Sequence, residues 1–206
     1  MPNTPDRGYS PEQRTRALIE ALPYIQQFRN AIVVVKFGGN AMVDPDLSRT
    51  FAQDIVLLRS VGLKPVVVHG GGPQIGELLG RLGKESEFRN GLRVTDAETL
   101  DVARMVLVGK VGREIVNQIN AHGAFAVGMS GEDGSLLRVR PRDPDLGFVG
   151  EIIKVNTAIV ERLLSEDVIP VVSSIGVDDV GQAYNINADT AAGAVAGALG
   201  AEKVVY

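Results

Sequence analysis

AIVVVKFGGN, residues Ala31 to Asn40, is the stretch from which the fold can be read. Ala31, Ile32 and the valines 33–35 run without a polar break into Lys36, Phe37 and the pair Gly38-Gly39. A short, unbroken apolar run closed by glycines reads as a strand covered on both faces, the kind that builds parallel sheets. The end of such a strand is where open α/β sheets bind ligands. Glycines let backbone N–H groups approach an anion closely, and a lysine adds a point charge. The stretch therefore predicts a phosphate-handling loop of Lys36, Gly38 and Gly39 at the tip of the first core strand. A purely structural turn is the other reading of the same residues.

Working outward, the same unit recurs. Pro65 to His69 is a second apolar run, entering Gly70-Gly71-Gly72-Pro73 and then a helix with Ile75, Leu78, Leu79 and Leu82 on one stripe. Between the two strands, Asp44-Pro45 caps a helix carrying Leu47, Phe51, Ile55 and Leu58, ended by Gly62. Strand, glycine loop and helix, twice over, predict βαβ crossovers and a parallel sheet. Three glycines at a helix start leave N–H donors free for an anion, although a tight turn would also use them.

Toward the N-terminus, residues 1–9 read as a disordered lead. Ser10, Pro11 and Gln13 then form a capping box, opening a helix with Leu18, Ala21, Leu22, Ile25 and Phe28 on one stripe and a kink at Pro23. This arm either packs on its own domain or joins another subunit. Residues 1–30 thus form a lead and arm, and 31–206 an α/β domain. Downstream, Asn90-Gly91 signals a hairpin between Glu87-Phe88-Arg89 and Leu92-Arg93-Val94. Thr95 to Glu98 reads as a second capping box, opening one long helix as far as Gly123. Arg93 is either solvated or placed to grip a carboxylate bidentately. Further strands are expected over 124–129 and 168–175, an antiparallel pair over 136–154, and helices from Asn156-Thr157 and from Thr190 to Leu199. Asn185, Asn187 and Asp189 alternate, so they could share one side of an extended segment. Asp189 is then either a helix N-cap or the carboxylate that orients Lys36. His69 reads as structural, and no general base is evident. The last residues, Lys203 to Tyr206, start another strand, and the domain is expected to continue beyond it.

Composition narrows the function. The 206 residues are 45% hydrophobic and 22% charged with a formal net charge of −4, suiting one soluble α/β domain and offering no basic field for nucleic acid. There is no cysteine, and His69 and His122 are the only histidines, so a resident metal site is not expected. No apolar run is long enough for a membrane span and no signal-peptide core is present, which makes the cytoplasm the expected location.

Four stretches are more particular than this: VVVKFGGNAM (Val33 to Met42), VVVHGGGPQI (Val66 to Ile75), NGLRVTD (Asn90 to Asp96) and NINADTAA (Asn185 to Ala192). In this order and spacing the chain resembles the N-acetyl-L-glutamate kinases of the amino acid kinase family, from its N-terminal helix to Tyr206. The resemblance implies a three-layer αβα sandwich around a mainly parallel sheet. It also implies MgATP-dependent phosphorylation of the side-chain carboxylate of N-acetyl-L-glutamate, a step of arginine biosynthesis. Lys36 would then stabilise the transferring phosphoryl group and Asp189 would position it. Gly38, Gly39 and Gly71 would offer N–H groups to the phosphate, while Gly71, Gly72, Arg93 and Asn185 would hold acetylglutamate. Mg2+ would arrive on the nucleotide phosphates. The family continues past this point into most of the ATP site, so the chain alone is expected to lack turnover. The N-terminal arm resembles that of members assembled as dimer-based hexamers.

The competing readings are a sibling kinase acting on aspartate, glutamate, carbamate or a nucleotide, against which NGLRVT argues, and a non-catalytic oligomerisation or effector-binding module. A nicotinamide-dependent dehydrogenase is disfavoured because neither glycine loop has the G-x-G-x-x-G spacing.

Overall fold

The computed structural model describes residues 8–42 and 44–206; the disordered lead expected over residues 1–9 lies, for residues 1–7, outside them. Helix α1 (Pro11–Gln27) starts as its sequence dictates. Ser10 Oγ accepts the N–H of Gln13, and the Gln13 side chain accepts the N–H of Ser10 at 2.8 Å. The helix continues through Pro23, and none of its residues is buried. Strand β1 (Ile32–Phe37) follows, then a 3-10 turn (Gly39–Met42) and α2 (Pro45–Ser60), whose first N–H groups are capped by Asp44. Next come β2 (Lys64–His69), α3 (Gly72–Arg81) and a two-stranded hairpin, β3 (Phe88–Arg89) and β4 (Leu92–Arg93). Asn90 and Gly91 both take positive φ at its tip, as a two-residue turn between twisted strands requires.

The long helix expected from Thr95 differs in two respects. Its N-cap is Asp96, whose carboxylate accepts the Thr99 N–H, while Thr95 turns its hydroxyl back to the Arg93 carbonyl. It is also three segments, α4 (Ala97–Arg104), a π-helical stretch (Met105–Val111) and α5 (Gly112–Asn120). The wide turn lets Leu107 O accept the Gly112 N–H, and a Cβ on Gly112 would lie 3.0 Å from that oxygen. Apolar periodicity persists through such a turn, so the sequence pattern does not announce it.

The rest of the chain runs through β5 (Ala126–Ser130), β6 (Leu137–Pro141), β7 (Gly150–Val155), α6 (Ala158–Ser165), β8 (Ile169–Ser173), β9 (Ile175–Val177), β10 (Ala183–Asn185), α7 (Ala188–Leu199) and β11 (Lys203–Val205). The run expected as one strand to Ile175 is therefore split at Ser174. Strand β8 stays in a five-stranded parallel sheet, ordered β11-β1-β2-β8-β5, while β9 crosses to a second sheet ordered β10-β9-β6-β7. Gly176 makes the crossing possible, because a Cβ there would sit 2.6 Å from both Ile186 and Val139.

Side-chain alternation along the parallel strands builds both cores. Val33, Val35, Phe37 and Val67 face α2, α3, α4 and α5, whereas Val34, Val66, Val68 and Val172 face α6 and α7. Burial on both faces is the reason these strands read as unbroken apolar runs. The arrangement is the expected three-layer αβα sandwich. Alanines 191, 192 and 196 let α7 lie close on the sheet. Register then decides where the loops go: Phe37 pairs with His69, and His69 with Ser173. Gly38, Gly70 and Ser174 consequently leave the sheet at one level.

Candidate active site

Beyond that edge lies a cavity of about 290 Å3 lined by every residue singled out from sequence: Lys36, Gly38, Gly39, Gly71, Gly72, Arg93, Asn185 and Asp189. Lys36 rises from the last turn of β1 and its Nζ lies 2.9 Å from Asp189 Oδ1. Gly38 makes room for this, since a Cβ there would come 2.9 Å from the amine. Asp189 is not the N-cap of α7. Asn187 caps that helix through Oδ1, accepting the N–H groups of Asp189 and Thr190 at 3.0 Å each. The Asp189 carboxylate is thereby left to the lysine. The helix start also breaks the extended segment in which the two asparagines and Asp189 would have shared a side.

The glycine loop sits against α7 and the π-helical stretch. A Cβ on Gly70 would meet that of Ala188 at 3.2 Å, and one on Gly71 would meet Leu107 Cδ2 at 2.7 Å. Gly71 serves as the N-cap of α3 with no side chain to satisfy the helix. Among the described residues no acceptor is bound to the N–H of Gly71 or Gly72. Two residues with unbonded N–H groups at the positive end of a helix dipole thus line the cavity with Lys36. Behind the loop His69 is fully buried, its Nδ1 2.9 Å from Gly70 O and its Nε2 3.0 Å from Ser173 Oγ. Burial holds its pKa down at about 4, so the ring is neutral.

Arg93 comes from the hairpin and is only 8% exposed. One terminal nitrogen donates to Ser86 Oγ, the other to Gly72 O at 2.9 Å, and the guanidinium lies 4.6 Å over the Phe88 ring. Burial lowers its pKa, yet a guanidinium stays charged. Its remaining N–H groups are available to a ligand. Asn185, at the end of β10, approaches Thr95 Oγ1 with Nδ2 at 3.4 Å, so the fully buried Thr95 links it to the Arg93 backbone. The base of the hairpin is anchored by Lys84, whose amine reaches Asp96 at 2.6 Å and Glu98 at 2.8 Å. Hydrogen bonding from Lys84, then from Thr99, holds the Asp96 carboxyl at about 2.

Sequence reasoning missed Ser86 and Phe88 at the site, the link that Thr95 makes between Asn185 and Arg93, and the capping role of Asn187. Phe88 could have been found, because a two-residue Asn-Gly turn pairs residue 88 directly with residue 93. No comparable signal marks Ser86. Among the described residues no group of three or more His, Asp or Glu side chains gathers to hold a metal.

A profile of the amino acid kinase family matches residues 31–206. The chain belongs to the amino acid kinase family. Within it, acetylglutamate kinases of Halorhodospira halophila and Trichormus variabilis are 54% and 58% identical to it, over 100% and 93% of this chain. The alignments span 72% and 65% of those relatives, so the chain represents about two thirds of their length. Among solved structures, the N-acetylglutamate synthase of Neisseria gonorrhoeae, complexed with coenzyme A and N-acetyl-glutamate, aligns with a TM-score of 0.81 at 28% identity. That match covers 93% of this chain and 45% of the synthase. Amino acid kinase architecture thus accounts for the parallel sheet with its glycine loops at one edge.

Proposed function

We propose that this chain is the amino-acid-substrate part of an acetylglutamate kinase, which transfers the γ-phosphoryl group of MgATP to the side-chain carboxylate of N-acetyl-L-glutamate. The observation that carries the reading is one cavity lined by a buried, pre-oriented arginine, a lysine ion-paired to an aspartate, and the free N–H groups of a triple-glycine turn. The arginine suits the carboxylate that is kept, and the lysine and N–H groups suit the phosphoryl group that moves. Relatives above 50% identity bear the kinase name.

The acceptor is already an ionised carboxylate, so the reaction needs alignment and charge neutralisation rather than a base. Arg93, with Asn185, holds the α-carboxylate and thereby aims the side-chain carboxylate at the glycine loop. Its oxygen bonds to the γ-phosphorus as the bond to the bridging oxygen breaks, and ADP carries that charge away. Lys36 and the N–H groups of Gly38, Gly39 and Gly71 stabilise the charge spread over the equatorial oxygens, and Asp189 keeps the lysine on line. Mg2+ would come bound to the nucleotide and would supply neutralisation of the phosphate charge. With ATP as donor, the cytoplasm is the setting.

Turnover belongs to the full-length protein, and the 206-residue chain is expected to bind acetylglutamate without turning it over. Helix α1 exposes Leu18, Ile19, Leu22 and Tyr24 by 48–70%, and we assign that face to contact between copies, as in a dimer-based hexamer. Calorimetry with acetylglutamate tests the central reading. Heat of binding that vanishes in Arg93→Ala supports it. Binding unchanged by that substitution rejects Arg93 as the clamp, and heat with aspartate or glutamate instead moves the assignment to a sibling kinase.

A further inference from the structure

We propose that His69 is a positioning residue that aims the Gly71 N–H at the moving phosphoryl group, with Ser173 fixing its tautomer; this rests on the kinase reading above. The argument begins with what each partner can do. The Gly70 carbonyl can only accept, so the Nδ1 atom lying 2.9 Å from it must carry the proton. In a neutral ring Nε2 is then an acceptor, and the Ser173 hydroxyl 3.0 Å away donates to it. The Leu107 carbonyl, 3.3 Å from the same hydroxyl, is the more distant contact, and its oxygen already accepts the Gly112 N–H.

The consequence lies across the next peptide bond. The Gly70–Gly71 peptide is trans, so its C=O and N–H point in opposite directions. Pinning the carbonyl inward, against a ring with no solvent exposure, turns the Gly71 N–H outward. Gly71 lines the cavity whereas His69 does not. A glycine has little of its own to resist rotation of that peptide, and Gly70 and Gly72 on either side add none. The imidazole supplies the missing restraint. Gly112 is part of the same device: a Cβ there would stand 3.2 Å from Nε2 and 3.4 Å from Ser173 Oγ, crowding the pair. His69 touches no reacting atom, which is why it reads as structural from sequence although its effect falls on the transition state.

The test has one spectroscopic and one kinetic arm. In 15N-edited NMR of the unliganded wild-type protein, the His69 ring is expected as the neutral Nδ1–H tautomer, the minor form in water. A proton on Nε2 instead overturns the inference, whether or not acetylglutamate is the substrate. In the full-length protein, His69→Leu is expected to lower kcat by about 10- to 100-fold with KM for acetylglutamate changed far less, since one phosphoryl donor is misaligned while Arg93 and Asn185, which grip the α-carboxylate, are untouched. His69→Asn, whose amide N–H falls near the position of Nδ1, should recover kcat to within about fivefold of wild type, and His69→Gln, whose amide falls near Nε2, should not. Should the leucine variant fail to fold, the asparagine–glutamine pair decides. Equal kcat in those two, or an unchanged kcat in a folded leucine variant, overturns the proposal. A wild-type enzyme that phosphorylates a different carboxylate would sink the substrate assignment and leave the tautomer result standing.

Discussion

Lys36 and Arg93 line the same cavity, yet they are held in opposite ways. The lysine side chain is 21% exposed, runs within 3.0 Å of where a Cβ on Gly38 would stand, and is tied to a carboxylate that is itself 57% exposed. The arginine is nearly buried, bonded to a serine and a backbone carbonyl, and laid over a phenylalanine ring. A flexible four-carbon stem suits a charge that must follow an atom in transit, while a planar fork locked by its neighbours suits recognition of a group that does not move. One end of the site is partly open and the other is closed in, a difference that suits the transfer proposed above.

Four measurements would break or sharpen that contrast. In the full-length protein, Lys36→Ala should reduce kcat by roughly 10²–10³ with little change in acetylglutamate affinity, because only the transition state is deprived of a charge. A comparable rise in KM would show that the lysine binds substrate, and the contrast would fail. Arg93→Ala should act the other way, weakening acetylglutamate binding by about 1.5–3 kcal/mol in calorimetry, the worth of a charge-assisted contact. Arg93→Lys should recover little of this, since a point charge cannot replace a fork. Asp189→Asn should cost less, about a fivefold loss of kcat, as an exposed pair contributes no more than ~1 kcal/mol. The loss should shrink with added salt, and a salt-independent effect would place the pair in a drier state than the free structure has.

The smallest effect concerns the anchor of the closed-in end. Asp96 has a folded pKa near 2, below its ordinary value of 3.8. A depressed carboxyl contributes stability that is fully present above about pH 4 and is lost as pH falls toward 2. Asp96→Asn should therefore lower stability slightly at neutral pH and speed amide exchange in the 88–93 hairpin there, with the difference from wild type fading as pH falls toward 2. An equal loss of hairpin protection at about pH 2 would show that the anchor works by packing rather than charge.

The π-helical stretch shows where local reading stops. Its residues keep an apolar stripe, and only Leu107 reaching over Gly71, with Gly112 admitting the wide turn, reveals its purpose. The Thr95 capping box failed for a related reason. Thr95 and Asp96 are both good caps, and the competition was settled by two partners: the nearby Arg93 carbonyl, which takes the Thr95 hydroxyl, and Lys84 beyond the hairpin, which holds Asp96 in place. Similarly, no sequence rule splits a run such as IPVVSSI between two sheets.

What the sequence determined by itself is the order of elements and the chemistry offered at the sheet edge. Unbroken valine runs, the glycine clusters, Asn90-Gly91 and the capping residues act within a few positions of themselves, so their reading needs no partner. Tertiary structure alone decided which donor faces which acceptor. Strand register levels Phe37, His69 and Ser173, Asn187 releases Asp189 to Lys36, and a buried imidazole turns one glycine peptide outward. Those choices join residues 69 and 173, or 36 and 189, and contacts between positions so far apart in the chain exist only once the core has closed around them.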